Sequence, residues 1–71
     1  MRMYKNGFVY YGEWNNNARN GWGVYENKQT GYRYAGEWKE DRKNGFGKES
    51  TLTWVYEGNY VADKKDGFGV W

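Results

Sequence analysis

A two-residue alternation, written three times at nearly even spacing, restricts this chain to short antiparallel strands. In Tyr32-Arg33-Tyr34-Ala35-Gly36-Glu37-Trp38 the even positions are aromatic or glycine and the odd ones polar or small. The same parity of rings and glycine runs through Phe8 to Trp14 and through Trp54 to Tyr60. Period two over seven residues describes a half-buried strand with one face committed and the other wet. Gly12, Gly36 and Gly58 lie 24 and then 22 residues apart. Seven residues past the last aromatic of each segment comes Gly-aromatic-Gly: Gly21-Trp22-Gly23, Gly45-Phe46-Gly47 and Gly67-Phe68-Gly69. Periods of this length mark stacked units that complete one another, and such arrays display surfaces more often than they house reaction centres.

Between the two elements of each unit lies a polar segment: Asn15 to Asn20, Lys39 to Asn44 and Val61 to Asp66. Each ends in Asn-Gly or Asp-Gly and is read as a six-residue loop, with glycine turning the chain back. Asn6-Gly7 is a two-residue hairpin signal that adds a strand from Met1 to Lys5 against Phe8 to Trp14. The expected fold is all-β: a single-layer, twisted antiparallel meander of stacked β-hairpins with about seven strands. It forms one domain over residues 1–71, with units at approximately 8–31, 32–53 and 54–71. Residues 1–6 serve as an extra strand or as the tail of a preceding unit. Closing the first loop with Trp14 opposite Gly21 sets Gly12 against Gly23 and Tyr10 against Tyr25. The same count sets Trp38 against Gly45 and Gly36 against Gly47.

Composition narrows the function. With 71 residues and neither Cys nor His, disulfides and the usual zinc sites are excluded. No metal site and no cofactor is expected. A net charge of +2 falls short of the basic excess of a dedicated nucleic-acid binder, so no nucleic acid is expected as a partner. Aromatics supply 23% of the chain and Leu52 is its single leucine, which leaves no aliphatic stripe for a helix. No nucleophile–base pair or phosphate-cradling loop is present, so no catalytic residues are assigned. Glu13 and Glu37 repeat at the array period, as surface carboxylates paired across strands would.

The quoted residues resemble the MORN (membrane occupation and recognition nexus) repeat: Tyr-x-Gly-x-Trp, Asn/His-Gly-x-Gly, then glycine before the next unit. Tyr10, Gly12, Trp14, Asn20, Gly21, Gly23 and Gly31 fit, as do Tyr34, Gly36, Trp38, Asn44, Gly45 and Gly47. The third unit departs, with Tyr60 for tryptophan, Asp66 before Gly67, and Thr53 where a glycine would precede the unit. The resemblance implies an elongated twisted sheet with a groove lined by aromatics, and a scaffold role. It implies recruitment of protein partners, self-pairing, and contact with anionic phospholipids.

The aromatic face is either the core of a single-layer sheet or a core with an exposed groove for a protein or peptide. The groove residues are Tyr10, Trp14, Tyr32, Tyr34, Trp38, Trp54, Tyr56 and Tyr60. Trp22, Phe46 and Phe68 form a second strip on the opposite face, either covered by neighbouring side chains or open to contact. Gly12, Gly21, Gly23, Gly36, Gly45, Gly47, Gly58, Gly67 and Gly69 are structural, making room for rings. Arg19, Lys39, Arg42, Lys43, Lys64 and Lys65 are candidates for a basic rim that meets an anionic membrane, opposed by acids in the same loops. The last strand, ending at Trp71, has an open edge, which is read in two ways: the chain self-associates through one or both terminal strands, or it is cut from a longer array. The expected location is cytoplasmic, with membrane or cytoskeletal association.

Overall fold

The computed structural model describes the backbone of residues 1–70 and the side chains of residues 1–65. Expectations for the side chains of Phe68 and Trp71 lie outside those residues. Seven strands follow one another: β1 (Arg2–Met3), β2 (Val9–Asn15), β3 (Ala18–Asn27), β4 (Tyr32–Lys39), β5 (Arg42–Ser50), β6 (Val55–Val61) and β7 (Lys64–Val70). They form one open sheet in sequence order, every neighbouring pair antiparallel. The all-β meander inferred from alternation is the fold.

The loops are shorter than their composition suggested. Each six-residue polar segment contributes only a two-residue turn: Asn16-Asn17, Glu40-Asp41 and Ala62-Asp63, and the other residues extend the strands. All six turn residues have φ between 48° and 71°. Two successive left-handed residues make the type I′ turn, whose twist matches that of the flanking strands. The glycines were expected to turn the chain, but asparagine and aspartate, which tolerate this region, take most of that work.

Glu40 and Ala62 gain little from their own side chains in such a conformation, and the preceding hairpin holds their turns. Glu40 N–H donates to Asn20 Oδ1 (3.3 Å) and Ala62 N–H to Asn44 Oδ1 (3.4 Å). Asp41 N–H donates to Arg19 O (3.0 Å) and Asp63 N–H to Lys43 O (2.9 Å). In return Asp41 Oδ1 accepts from Arg19 N–H and Nε (2.9 and 2.8 Å), and Asp63 Oδ1 accepts from Lys43 N–H (2.8 Å). Asp41→Ala removes the acceptor and places a Cβ-only residue at positive φ. A loss of about 1–2 kcal/mol is expected, read as a lower urea midpoint.

At the front the hairpin forms, with a three-residue loop instead of two. Gly7 N–H donates to Tyr4 O (3.2 Å) and Tyr4 N–H to Phe8 O (2.8 Å), with Gly7 at φ 91°. That is a type I turn closed by a left-handed glycine. β1 is therefore brief, pairing only Arg2 with Tyr10 and Met3 with Val9.

Register follows the expected count at the glycines and departs from it at the tryptophans. Tyr10 faces Tyr25, Gly12 faces Gly23, and Gly36 faces Gly47. Trp14 faces Arg19 instead of Gly21, and Trp38 faces Lys43 instead of Gly45. Between these pairs β3 and β5 each carry two more residues than their partners, a bulge with Gly21 at φ 97° and Gly45 at φ 95°. The short turns force it: strands that start early must shed the surplus before the glycine pair. Across the boundary between units the ring does meet glycine, the Trp38 indole opposite Gly21 and the Tyr60 phenol opposite Gly45.

Candidate functional site

Parity places the repeated rings on one face, where they pack edge to face. Tyr34 and Trp38 centroids are 5.2 Å apart, and rings from alternate strands also converge: Tyr10–Trp38 at 5.6 Å and Tyr34–Tyr60 at 5.3 Å. T-shaped pairs set the positive edge of one ring against the negative face of another. In the first two units the Tyr of the Tyr-x-Gly segment lies across a glycine pair, with Tyr10 over Gly12 and Gly23 and Tyr34 over Gly36 and Gly47. Their hydroxyls donate to Glu13 O and Glu37 O, both at 2.9 Å. The bare backbone was expected to seat the indole of the same hairpin; it seats the phenol. Trp38 instead donates its Nε1–H to Gly23 O of the preceding hairpin at 3.1 Å.

This packing leaves little groove. Of the eight rings expected to line one, Tyr10, Tyr34, Trp38, Tyr56 and Tyr60 are at most 4% exposed. Trp14, Tyr32 and Trp54 are half-buried at the margin. The rings shield one another because three cations fill the gaps between them. Arg19 lies 4.5 Å from the Trp38 ring centroid and 5.0 Å from that of Tyr25. Lys43 Nζ sits 5.3 Å from both Tyr32 and Tyr34, and Lys65 Nζ 5.2 Å from both Trp54 and Tyr56. Arg19, Lys43 and Lys65 recur at the spacing of the glycines, each opposite the last aromatic of the first strand of its hairpin.

A buried carboxylate joins two of them. Glu49 is 6% exposed and faces Tyr34 and Tyr56. Its Oε2 accepts from Lys43 Nζ (2.7 Å) and from the Tyr32 hydroxyl, and its Oε1 from the Tyr60 hydroxyl (2.6 Å). Lys65 Nζ stands 3.6 Å from Oε1. Burial alone would raise its pKa, but the bonds from Lys43, Tyr32 and Tyr60 overcome that and hold the carboxyl down at about 2. Burial and the Glu49 charge push the Tyr32 and Tyr60 hydroxyls well above the ordinary tyrosine range. Glu49 was not singled out by alternation. The signal was present in the period: Tyr25 occupies the equivalent position one unit earlier.

The opposite face differs. Trp22 is 51% and Phe46 46% exposed, with Tyr11, Val55 and Val61 exposed on other strands. Glu37, opposite Trp22, lies between them, and its Oε2 accepts the Phe46 N–H at 2.7 Å. Glu13 Oε1 does the same for Trp22 N–H at 2.7 Å. Glu13 and Glu37 therefore satisfy the N–H groups that the bulges leave off the ladder, instead of the cross-strand ion pairs expected of them. A side chain on Gly21 or Gly45 would strike those carboxylates.

The MORN repeat model matches residues 10–29, 34–50 and 56–71, which is most of the chain and one match for each hairpin. The chain belongs to the MORN repeat family. No curated protein matches it. MORN repeats are non-catalytic units generally found in modules that associate with proteins or membranes. The matched segments coincide with β2–β3, β4–β5 and β6–β7, so each MORN unit here is one hairpin plus its connection.

Within this MORN sheet the six residues of the expected basic rim divide. Arg19 and Lys43 turn onto the ring face with side chains 16% exposed, and Lys65 joins them. Lys39, Arg42 and Lys64 remain exposed beside the turns, alongside Glu40, Asp41 and Asp63. A continuous basic line was expected because loop residues point outward; all six instead lie in strands, and three of them share the parity of the rings. Gly58 pairs with Gly47 on one side and Gly69 on the other.

Proposed function

We propose that this MORN array is a non-enzymatic protein-association module that seats a partner segment along its outer face. The observation that supports it is the exposed row of Trp22 and Phe46. The rings opposite are nearly all buried, so the core does not need these two. Large apolar side chains left in water at repeat positions mark interaction surfaces, and aromatic residues dominate the energetics of such surfaces. Alternate strands lie about 10 Å apart, a spacing at which one extended segment crossing the sheet contacts both rings.

The test pairs binding with stability. In Trp22→Ser/Phe46→Ser, capture of a partner isolated with the wild-type chain should fall at least tenfold, on the order of one hot-spot residue. The urea midpoint should stay close to wild type, because neither ring belongs to the core. Undiminished capture would refute the placement. Co-flotation with phosphatidylserine vesicles at low salt, abolished by neutralising Lys39, Arg42 and Lys64, would support the membrane-binding alternative instead. The mixed charge beside the turns argues against that outcome.

A further inference from the structure

Three asparagine–glycine pairs stand in this chain: Asn6-Gly7, Asn20-Gly21 and Asn44-Gly45. An asparagine followed by glycine can modify itself. The glycine amide nitrogen attacks the side-chain Cγ, ammonia leaves, and water then opens the cyclic imide. Glycine favours this because no Cβ crowds its nitrogen and its backbone turns freely. By dipeptide alone the three pairs are equivalent, and the fold separates them.

Asn20 and Asn44 are half-buried strand residues, in β3 and β5. Their side chains reach away from their own glycines to the next hairpin, where Oδ1 accepts from Glu40 N–H and Ala62 N–H. The glycines that follow are paired on neighbouring strands, Gly21 with Trp38 and Gly45 with Tyr60. Attack at these sites requires that the turn bond be released and the strand opened.

Asn6-Gly7 lies in the loop between β1 and β2, and both residues are exposed. Asn6 Oδ1 accepts from Phe8 N–H (3.3 Å), two residues on. Such a bond curls the side chain back over the peptide that contains Gly7 N. It also aims a donor at the oxygen that carries negative charge once Cγ becomes tetrahedral. To attack, Gly7 N–H gives up a 3.2 Å bond to Tyr4 O. The other exposed asparagines, Asn15, Asn16, Asn17 and Asn59, precede Asn, Ala or Tyr, whose Cβ hinders the nitrogen.

We propose that Asn6-Gly7 is a site of spontaneous self-modification, at which the folded loop converts the Asn6 amide to an aspartyl or isoaspartyl residue. Gly7 N loses its proton to solvent as it bonds to Asn6 Cγ, and the side-chain nitrogen takes one up and leaves as ammonia. Water then adds to either carbonyl of the imide, and one of the two C–N bonds breaks. No oxidant or reductant takes part. The product carries a carboxylate in place of a neutral amide. In the isoaspartyl form the backbone runs through the former side chain, so the loop gains one atom and the Asn6 carbonyl leaves the main chain. That carbonyl accepts from Asn27 Nδ2 (3.2 Å), while Asn27 Oδ1 holds Gln29 N–H (2.9 Å) in the loop between β3 and β4. The modification therefore acts on two loops at once, and on the short β1 pairing that the first of them closes. It is independent of the association reading.

Cleavage by trypsin after Lys5, Arg19 and Lys43 puts each pair at the head of a separate peptide. The wild-type chain is held at neutral pH and body temperature, folded and in urea. Samples taken over time are scored for the mass gain of amide-to-acid conversion, located by fragmentation. In the folded chain Asn6 should convert at least about tenfold faster than Asn20 or Asn44, because exposed loops open at less cost than paired strands. In urea the three rates should converge. Equal rates in the folded chain would overturn the proposal. So would a gap that persists in urea, since it would then belong to neighbouring residues and not to the fold. Asn6→Gln, whose longer side chain closes a ring poorly, should abolish the gain in the first peptide with circular dichroism unchanged. A gain that persists there would move the reaction to Asn15–Asn17 and overturn the assignment.

Discussion

Gly47→Ala is expected to cost about 3–5 kcal/mol, the cost of expelling a buried aromatic side chain. A Cβ built on Gly47 stands 2.5 Å from Cζ of Tyr34, inside its contact radius, and Tyr34 is fully buried. The ring lies flat on the strand and cannot tilt without losing the bond to Glu37 O and its edge-to-face partners Trp38 and Tyr60. Domains of this size have a total stability of roughly 4–10 kcal/mol, so the variant should be folded only marginally at 25 °C. Two controls separate the cause. Tyr34→Phe keeps the ring and loses one hydrogen bond, for about 0.5–1.5 kcal/mol. In a Tyr34→Ala background the added methyl meets empty space, so the two substitutions should be strongly non-additive in a urea double-mutant cycle. A loss below 1 kcal/mol for Gly47→Ala would show that the ring has somewhere else to go.

Glu49→Gln is expected to destabilise by about 3 kcal/mol, because it leaves Lys43 among rings without its counter-charge. Removing both charges, as Lys43→Met/Glu49→Leu, should recover most of the loss, since a buried pair and a packed apolar pair are often equivalent. Acid titration tests the same cluster with the native chain. The Glu49 carboxyl is held near 2 in the folded state against an ordinary 4.5. A lowered folded pKa stabilises above the unfolded value and is lost as pH falls through the folded one. Stability should therefore erode between about pH 4.5 and pH 2, and the slope of urea midpoint against pH in that window should flatten in the double variant. An unchanged slope would place the acid sensitivity elsewhere.

Much of the fold was legible because parity is robust. Every ring of Tyr32, Tyr34 and Trp38 had to share a side if the segment was a strand, and the facing glycines fixed Gly12 to Gly23 and Gly36 to Gly47. The turns were not legible in the same way. Asn-Gly is a strong turn signal, and in this chain its asparagine holds the next hairpin's turn while its glycine forms a bulge. That assignment depends on contacts between neighbouring units, about one repeat apart in sequence, where local propensity has nothing to say. The cations were misplaced for a related reason: a polar segment reads as loop, whereas the two-residue turns draw Arg19, Lys43 and Lys65 into strands. Glu49 was hidden by its neighbours. Within Gly47 to Ser50 it reads as one more surface acid, and only alignment with Tyr25 shows that it occupies a ring's place.

The way the left-handed turns are held gives the sheet a direction. Glu40 and Asp41 lean on Asn20 and Arg19, and Ala62 and Asp63 on Asn44 and Lys43; among the described residues no such bond runs back from a later hairpin to the turn at Asn16-Asn17. Each bend is thus scaffolded by the one made before it, like courses of brick laid from one end. A chain emerging from the ribosome presents those footings in the order they are needed, so the hairpins can be fastened one after another during synthesis.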